Sequence, residues 1–175
     1  VTTRNNEIII TAENFKYNKL TTLLEAEGNV KLVDKVSDII IESNEIFYFK
    51  DKEQIYTKGE SRALNGRQIQ IDADKYFKYN KLTSLLEAKG DVKLKDKDKN
   101  INIYTNEIYY LVNEEKISTI GKTDVNVESK YYVEGSDLVL LRNKMILSSN
   151  KKTTITDSNS NVYKLDQFQH FINEE

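Results

Sequence analysis

The chain has 175 residues, enough for one domain with a real core. Its 26 basic and 28 acidic residues leave a net charge of −2, which gives no electrostatic footprint for a nucleic acid, and the lack of cysteine removes disulfides, thiolate metal sites and thiol catalysis together. No stretch approaches the roughly 18 apolar residues of a helical membrane span.

From the start of the chain the apolar residues alternate with a period of two. Ile8, Ile10 and Ala12 alternate with Ile9 and Thr11, then Phe15 and Tyr17 lead into a turn at Asn18-Lys19 and the chain returns through Leu24, Ala26 and Gly28. Alternation rich in β-branched and aromatic residues, broken by short Asn, Asp and Lys loops, predicts antiparallel strands. The same hairpin recurs with turns at Asp51-Lys52-Glu53, Asn80-Lys81, Asn113-Glu114-Glu115 and Asn143-Lys144. These give units at about 7–36, 38–66, 68–98, 100–128 and 130–157, with a partial sixth from 161, all within a single domain over 1–175. The fifth unit has lost the glycine and the tyrosine that mark the other four. The sixth begins a first strand in YKLDQF and has no return strand, which reads as an amino-terminal domain excised from a longer protein.

Two irregularities recur. On each first strand the apolar positions step by three at Ala12-Glu-Asn-Phe15, Ser43-Asn-Glu-Ile46, Thr105-Asn-Glu-Ile108 and Gly135-Ser-Asp-Leu138, which predicts a bulge that keeps one face apolar. On each return strand a glycine falls where a strand interior avoids it. These structural glycines, Gly28, Gly59, Gly90 and Gly121, stand thirty-one residues apart, and Tyr17, Tyr48, Tyr79 and Tyr110 keep the same step. A strict period of this size marks a stack of one supersecondary unit. Strands of eleven to fourteen residues at about 3.3 Å each would span roughly 35–45 Å. A closed β-helix, a sandwich and a half-open roll all remain open, and long bent antiparallel strands favour a curved two-walled roll.

The phrase Ile-Thr-Ala-Glu…Tyr-Asn…Leu-x-Ala-x-Gly-Asn-Val over Ile10 to Val30 returns as Ile-Asp-Ala-Asp…Tyr-Asn…Leu-x-Ala-x-Gly-Asp-Val over Ile71 to Val92. It resembles the OstA-like repeat of the lipopolysaccharide-transport family, which includes the periplasmic bridge protein LptA and the periplasmic amino-terminal domain of the outer-membrane translocon LptD. The match covers residues 7–128 strongly and the rest weakly. Glu60 and Lys122 depart from it, standing where the other copies have Asn29 and Asp91. The resemblance implies an all-β fold, a twisted antiparallel β-jellyroll of about 12 strands built from these hairpins. It also implies a non-catalytic apolar groove that shields lipid A acyl chains, in the periplasm at the periplasmic face of the outer membrane of a Gram-negative bacterium. Expected partners are lipopolysaccharide, other β-jellyroll Lpt proteins joined by edge-strand addition, and an outer-membrane barrel if the chain is part of LptD; no cofactor is expected.

On this phase the groove-lining set is Ile8, Ile10, Phe15, Tyr17, Leu24, Val30, Ile39, Ile41, Ile46, Tyr48 and Ile55, continued by Ile69, Ile71, Phe77, Tyr79, Leu86, Val92, Ile101, Ile103, Ile108, Tyr110 and Ile117. Singly, each is also what a plain sheet core requires. The small residues Ala26, Thr57, Ala88 and Thr119 would leave room for lipid, and Lys16, Lys31, Lys78 and Lys93 at the rim would meet its phosphates. His170 is the only histidine, which excludes a histidine-based triad or a multi-histidine metal site. Asp96 and Asp98 in KDKDKN read as a charged hairpin tip. A structural β-solenoid with a dry core is the competing non-transport reading; a carbohydrate-processing β-helix would need an outer row of acids that the repeat does not maintain.

Overall fold

The computed structural model describes residues 2–4 and 7–172. They form a twisted antiparallel β-jellyroll in which each pass of the chain is one rung, hydrogen-bonded to the rungs before and after it. The first rung is β2 (Ile8–Thr11) with β3 (Asn14–Asn18), and β1 (Thr2–Arg4) pairs outside β2. Rungs two and three are β4 (Leu23–Asp34) and β5 (Ile39–Phe49). The fourth is β6 (Gln54–Thr57) with β7 (Ser61–Asn65), and the fifth β8 (Ile69–Ala73) with β9 (Tyr76–Asn80). Rungs six to eight are β10 (Leu85–Asp96), β11 (Ile101–Leu111) and β12 (Lys116–Val127). The last three are β13 (Tyr131–Ser136) with β14 (Val139–Leu141), β15 (Ile146–Ser149) with β16 (Thr153–Asp157), and β17 (Val162–Leu165) with β18 (Phe168–Phe171).

Every rung bends at its middle, so the sheet has two walls. The first wall holds β2, β7, β8, β13, β16, β17 and the halves of β4, β5, β10, β11 and β12 that pair with them. The second holds β3, β6, β9, β14, β15, β18 and the opposite halves of the same long strands. Because side chains alternate along a strand, one set from each wall turns inward, and these form one continuous apolar core.

The bends sit where the two irregularities fall. Between β4 and β5, Gly28 and Asn29 oppose a single residue, and the same two-against-one mismatch recurs at Gly90-Asp91 and Gly121-Lys122. All four glycines have positive φ, from +77° to +89°. At Gly28 and Gly90 the next residue is left-handed too, Asn29 at +45° and Asp91 at +39°, whereas Glu60 and Lys122 keep ordinary backbone angles. This difference accounts for the departure of the second and fourth copies: Asn and Asp tolerate the left-handed region, so they stand only where it is needed. The turns at the far ends of the second wall share a left-handed residue at the thirty-one-residue step, at Thr22, Glu53, Ser84 and Glu115. Among the described residues no helix is long and apolar enough to cross a membrane.

Candidate functional site: an apolar core between two walls

The expected lining residues converge between the walls. Twenty of them are buried in one core, with Ile39, Ile41, Ile46, Phe77, Ile101, Ile108 and Ile117 wholly inaccessible. Phe15 packs on this core while partly exposed, and Tyr17 does not join it: its side chain lies on the outermost rung of the second wall, 46% exposed, with the Lys50 ammonium 4.8 Å from its ring centre. Tyr17 is therefore corrected from lining to edge.

Through the middle rungs the inward side chains are shielded from solvent. Ala26 and Ala88 are buried in the core. Thr57 and Thr119 serve as polar joints at the bends. The Thr57 hydroxyl oxygen accepts from the backbone N–H of Phe77 at 2.8 Å and from the Ser61 hydroxyl at 2.8 Å, and Thr119 accepts from the N–H of Leu138 at 3.0 Å and from the Thr123 hydroxyl at 2.8 Å. These bonds satisfy backbone groups that each bend removes from the ladder.

Opposite the bends, the free ends of the two walls meet along a mouth. The Tyr79 hydroxyl on the second wall donates to Asp34 Oδ2 on the first at 2.9 Å. The Tyr110 hydroxyl donates to Asn65 Oδ1 at 2.8 Å. Arg142 Nε donates to Asp96 Oδ2 at 2.5 Å and Nη2 to Oδ1 at 3.3 Å, while Nη1 reaches Glu115 Oε2 at 3.1 Å. Asp34 is 0% exposed, Asp96 2% and Arg142 5%, so these pairs lie inside the closed edge. Lys81 adds an ion pair to Glu7 and lies 3.8 Å from Glu53. Each tyrosine thus has an apolar ring in the core and a hydroxyl in a cross-wall bond. Burial raises the pKa of Tyr110 to about 12, with the Arg142 charge acting in the opposite direction, and raises those of Tyr48 and Tyr79 further. For Arg142 burial acts to lower the pKa, and its neighbours, Asp96 foremost with Tyr110 and Glu115, together more than offset it.

Asp34, Asn65 and Asp96 stand thirty-one residues apart, each six after its glycine, so their register was visible in the sequence. The hairpin-tip reading of KDKDKN holds for both acids, but Asp96 is buried rather than solvated, and its carboxylate also closes the tip by accepting the N–H groups of Asp98 and Lys99. The partner a wall away has no local signal. The four rim lysines lie on the outer faces instead, with Lys16 near Glu25 at 3.9 Å, Lys31 near Glu42 at 3.0 Å, Lys78 near Glu87 at 4.0 Å and Lys93 near Asp91 at 3.9 Å.

The next position in the Asp34 series is Val127, which cannot extend the row. Beyond it the walls stand apart around a cavity of about 320 Å³ lined by Val127, Tyr131, Val133, Leu147, Ile155, Asp157, Tyr163, Leu165, Phe168 and His170. His170 stacks edge-on against Tyr131 with centroids 5.2 Å apart, and its Nε2 is buried without a hydrogen-bond partner. No group of three or more metal-ligating side chains occurs among the described residues.

No family model matches this chain, and no curated protein matches it. Among solved structures, it is similar to LptH of Pseudomonas aeruginosa, described as the LptA-homologous periplasmic component of a lipopolysaccharide transport device, with 13% identity over 90% of this chain and 93% of that one and a TM-score of 0.33.

Proposed function

We propose that the chain is a non-catalytic lipid carrier that shields lipid A acyl chains of lipopolysaccharide between its two walls during passage through the periplasm to the outer membrane. The observation that carries this reading is the OstA-like phrase of Ile10–Val30 and Ile71–Val92, whose apolar positions other than Tyr17 lie on the inner face of one apolar core shared by both walls. Each methylene kept from water is worth about 0.8 kcal/mol, so several acyl chains need such a face to cross an aqueous compartment. Within the family, the amino-terminal domain of LptD is the form proposed, with the stand-alone bridge protein LptA as the alternative. Other jellyroll Lpt proteins would join by strand addition at the edges, where main-chain hydrogen bonds supply affinity.

A photo-crosslinking residue at Ile41 or Ile103, with Lys50 and Lys99 as outward controls, tests the assignment in cells. A lipopolysaccharide adduct confined to the inner pair is the expected result, and equal labelling of both pairs would refute it. The packed interior favours a second reading, a structural β-stack with a permanently dry core. Under that reading neither inner position acquires an adduct.

A further inference from the structure

We propose that the cross-wall pairs Tyr79–Asp34, Tyr110–Asn65 and Arg142–Asp96 are a row of releasable latches, and that the mouth they close opens, with the bends as hinge, to admit the lipid. This inference rests on the carrier reading, because a permanently dry core has no need to open.

The three pairs are equivalent places in the fold. On the first wall they are the last residues of β4, β7 and β10, and on the second they lie at or beside the turns that end β9, β11 and β14. The partners are 45, 45 and 46 residues apart in sequence. Each joins a second-wall end to a first-wall end three rungs earlier. No main-chain ladder crosses at this place among the described strand pairings; the walls are continuous only through the bends. Closure of the mouth therefore depends on side chains, while the opposite edge is covalent backbone. Water can replace the partner of such a side-chain hydrogen bond when it opens, so each contributes little net to keeping the walls together. The two tyrosine latches can accordingly be exchanged for water at modest cost.

The bends have the features of a hinge. Four of the return strands pass through a glycine at positive φ, and at Gly28, Gly90 and Gly121 an unpaired bulge residue stands beside it, so the two halves are not held by one unbroken ladder. The latch row also ends where the cavity begins. Val127 replaces the acid or amide of the earlier positions, and the walls behind it are apart. The open end is thus the place from which parting of the walls would spread, with Arg142–Asp96 the first latch it meets.

The chain has no cysteine, so labels can be confined to introduced sites. Val36 and Leu82 lie in exposed turns on opposite sides of the mouth, 69% and 75% accessible. Spin labels on Val36→Cys/Leu82→Cys report its width, and Val36→Cys/Arg67→Cys, both on the first wall, serve as the control. In the otherwise wild-type protein without lipid a single short distance is expected across the mouth. Tyr79→Phe/Tyr110→Phe, which removes only the hydroxyls, should add a population longer by about 5 Å, half the ~10 Å spacing of packed sheets, with the control unchanged. Lipopolysaccharide micelles added to the wild type should produce the same longer population. A circular dichroism spectrum like that of the wild type establishes that the double variant is folded; if it is not, the wild-type titration with micelles decides alone. Unchanged distances across the mouth in both experiments would overturn the latch. The crosslinking at Ile41 then separates the two ideas: an adduct with a mouth that never widens removes the latch and leaves the carrier, whereas a mouth that widens on loss of the hydroxyls with no adduct removes the carrier and with it the admission of lipid, leaving only a hinge.

Discussion

At the level of single residues, the backbone at the bends decides what is tolerated. A Cβ at Gly90 would strike the Asp74 and Lys75 side chains in addition to the strain of its positive φ, whereas a Cβ at Gly59 meets open space. Gly59→Ala should therefore cost about 1–2 kcal/mol through the left-handed penalty alone, and Gly90→Ala distinctly more. Paired urea melts would show this as a larger fall in midpoint for Gly90→Ala. Thr22 carries the opposite liability, a β-branched residue at φ +52° in a surface turn. Thr22→Gly should raise stability by roughly 0.5–1 kcal/mol, visible as a higher Tm. The glycines and the tyrosines were legible because both recur at one step. The left-handed turn positions were not, because Thr, Glu, Ser and Glu fill them and no single residue type betrays the geometry.

Among elements, the link between walls depends on groups whose two roles a pattern of apolar positions cannot separate. Tyr79 and Tyr110 fit an alternating core face by their rings, and nothing nearby in sequence points to acceptors 45 residues away. Their pairing follows from the twist of the whole sheet. The same burial gives an alkaline limit to stability. Tyr110 titrates near 12 when folded and near 10 in an unfolded chain, and Tyr48 and Tyr79 are held higher still. Between about pH 10 and 12 the unfolded chain thus binds fewer protons than the folded one, so stability is complete below pH 10 and falls as the pH rises through 12. Urea midpoints should decline over that range, and Tyr110→Phe should flatten the decline. The Arg142–Asp96 pair predicts a different asymmetry. Arg142→Met alone strands a buried carboxylate and should cost about 3–5 kcal/mol, while Asp96→Leu/Arg142→Met should recover most of that loss. A double-mutant cycle by chemical denaturation measures it.

Across the whole molecule, the three-rung offset between the walls determines which inner faces are covered. The second wall at the first rung and the first wall at the last rungs lack a described partner opposite them. Tyr17 is accordingly exposed at one end, and Val162, Tyr163 and Leu165 at the other. Alternation alone placed Tyr17 with its three equivalents, because a repeat pattern carries no information about which copy stands at the margin. The sequence did disclose the bends, the hairpins and the identity of the core face. It could not disclose that the two walls close on each other, since closure depends on their relative angle and not on any residue period.

The latch row also limits how such a chain can change length. Asp34 and Asn65 are each followed, thirty-one positions later, by an equivalent, so removal of the unit between them brings a new pair into register. Deleting residues 35–65 would join Asp34 directly to Gly66, preserve the turn into β8 and leave Tyr110 facing Asp34 in place of Asn65. Deletion of a single rung would instead reverse the direction of every later strand and exchange the walls. Length is thus quantised in this fold: insertions and deletions of one full unit are silent to the mouth, and those of half a unit are not.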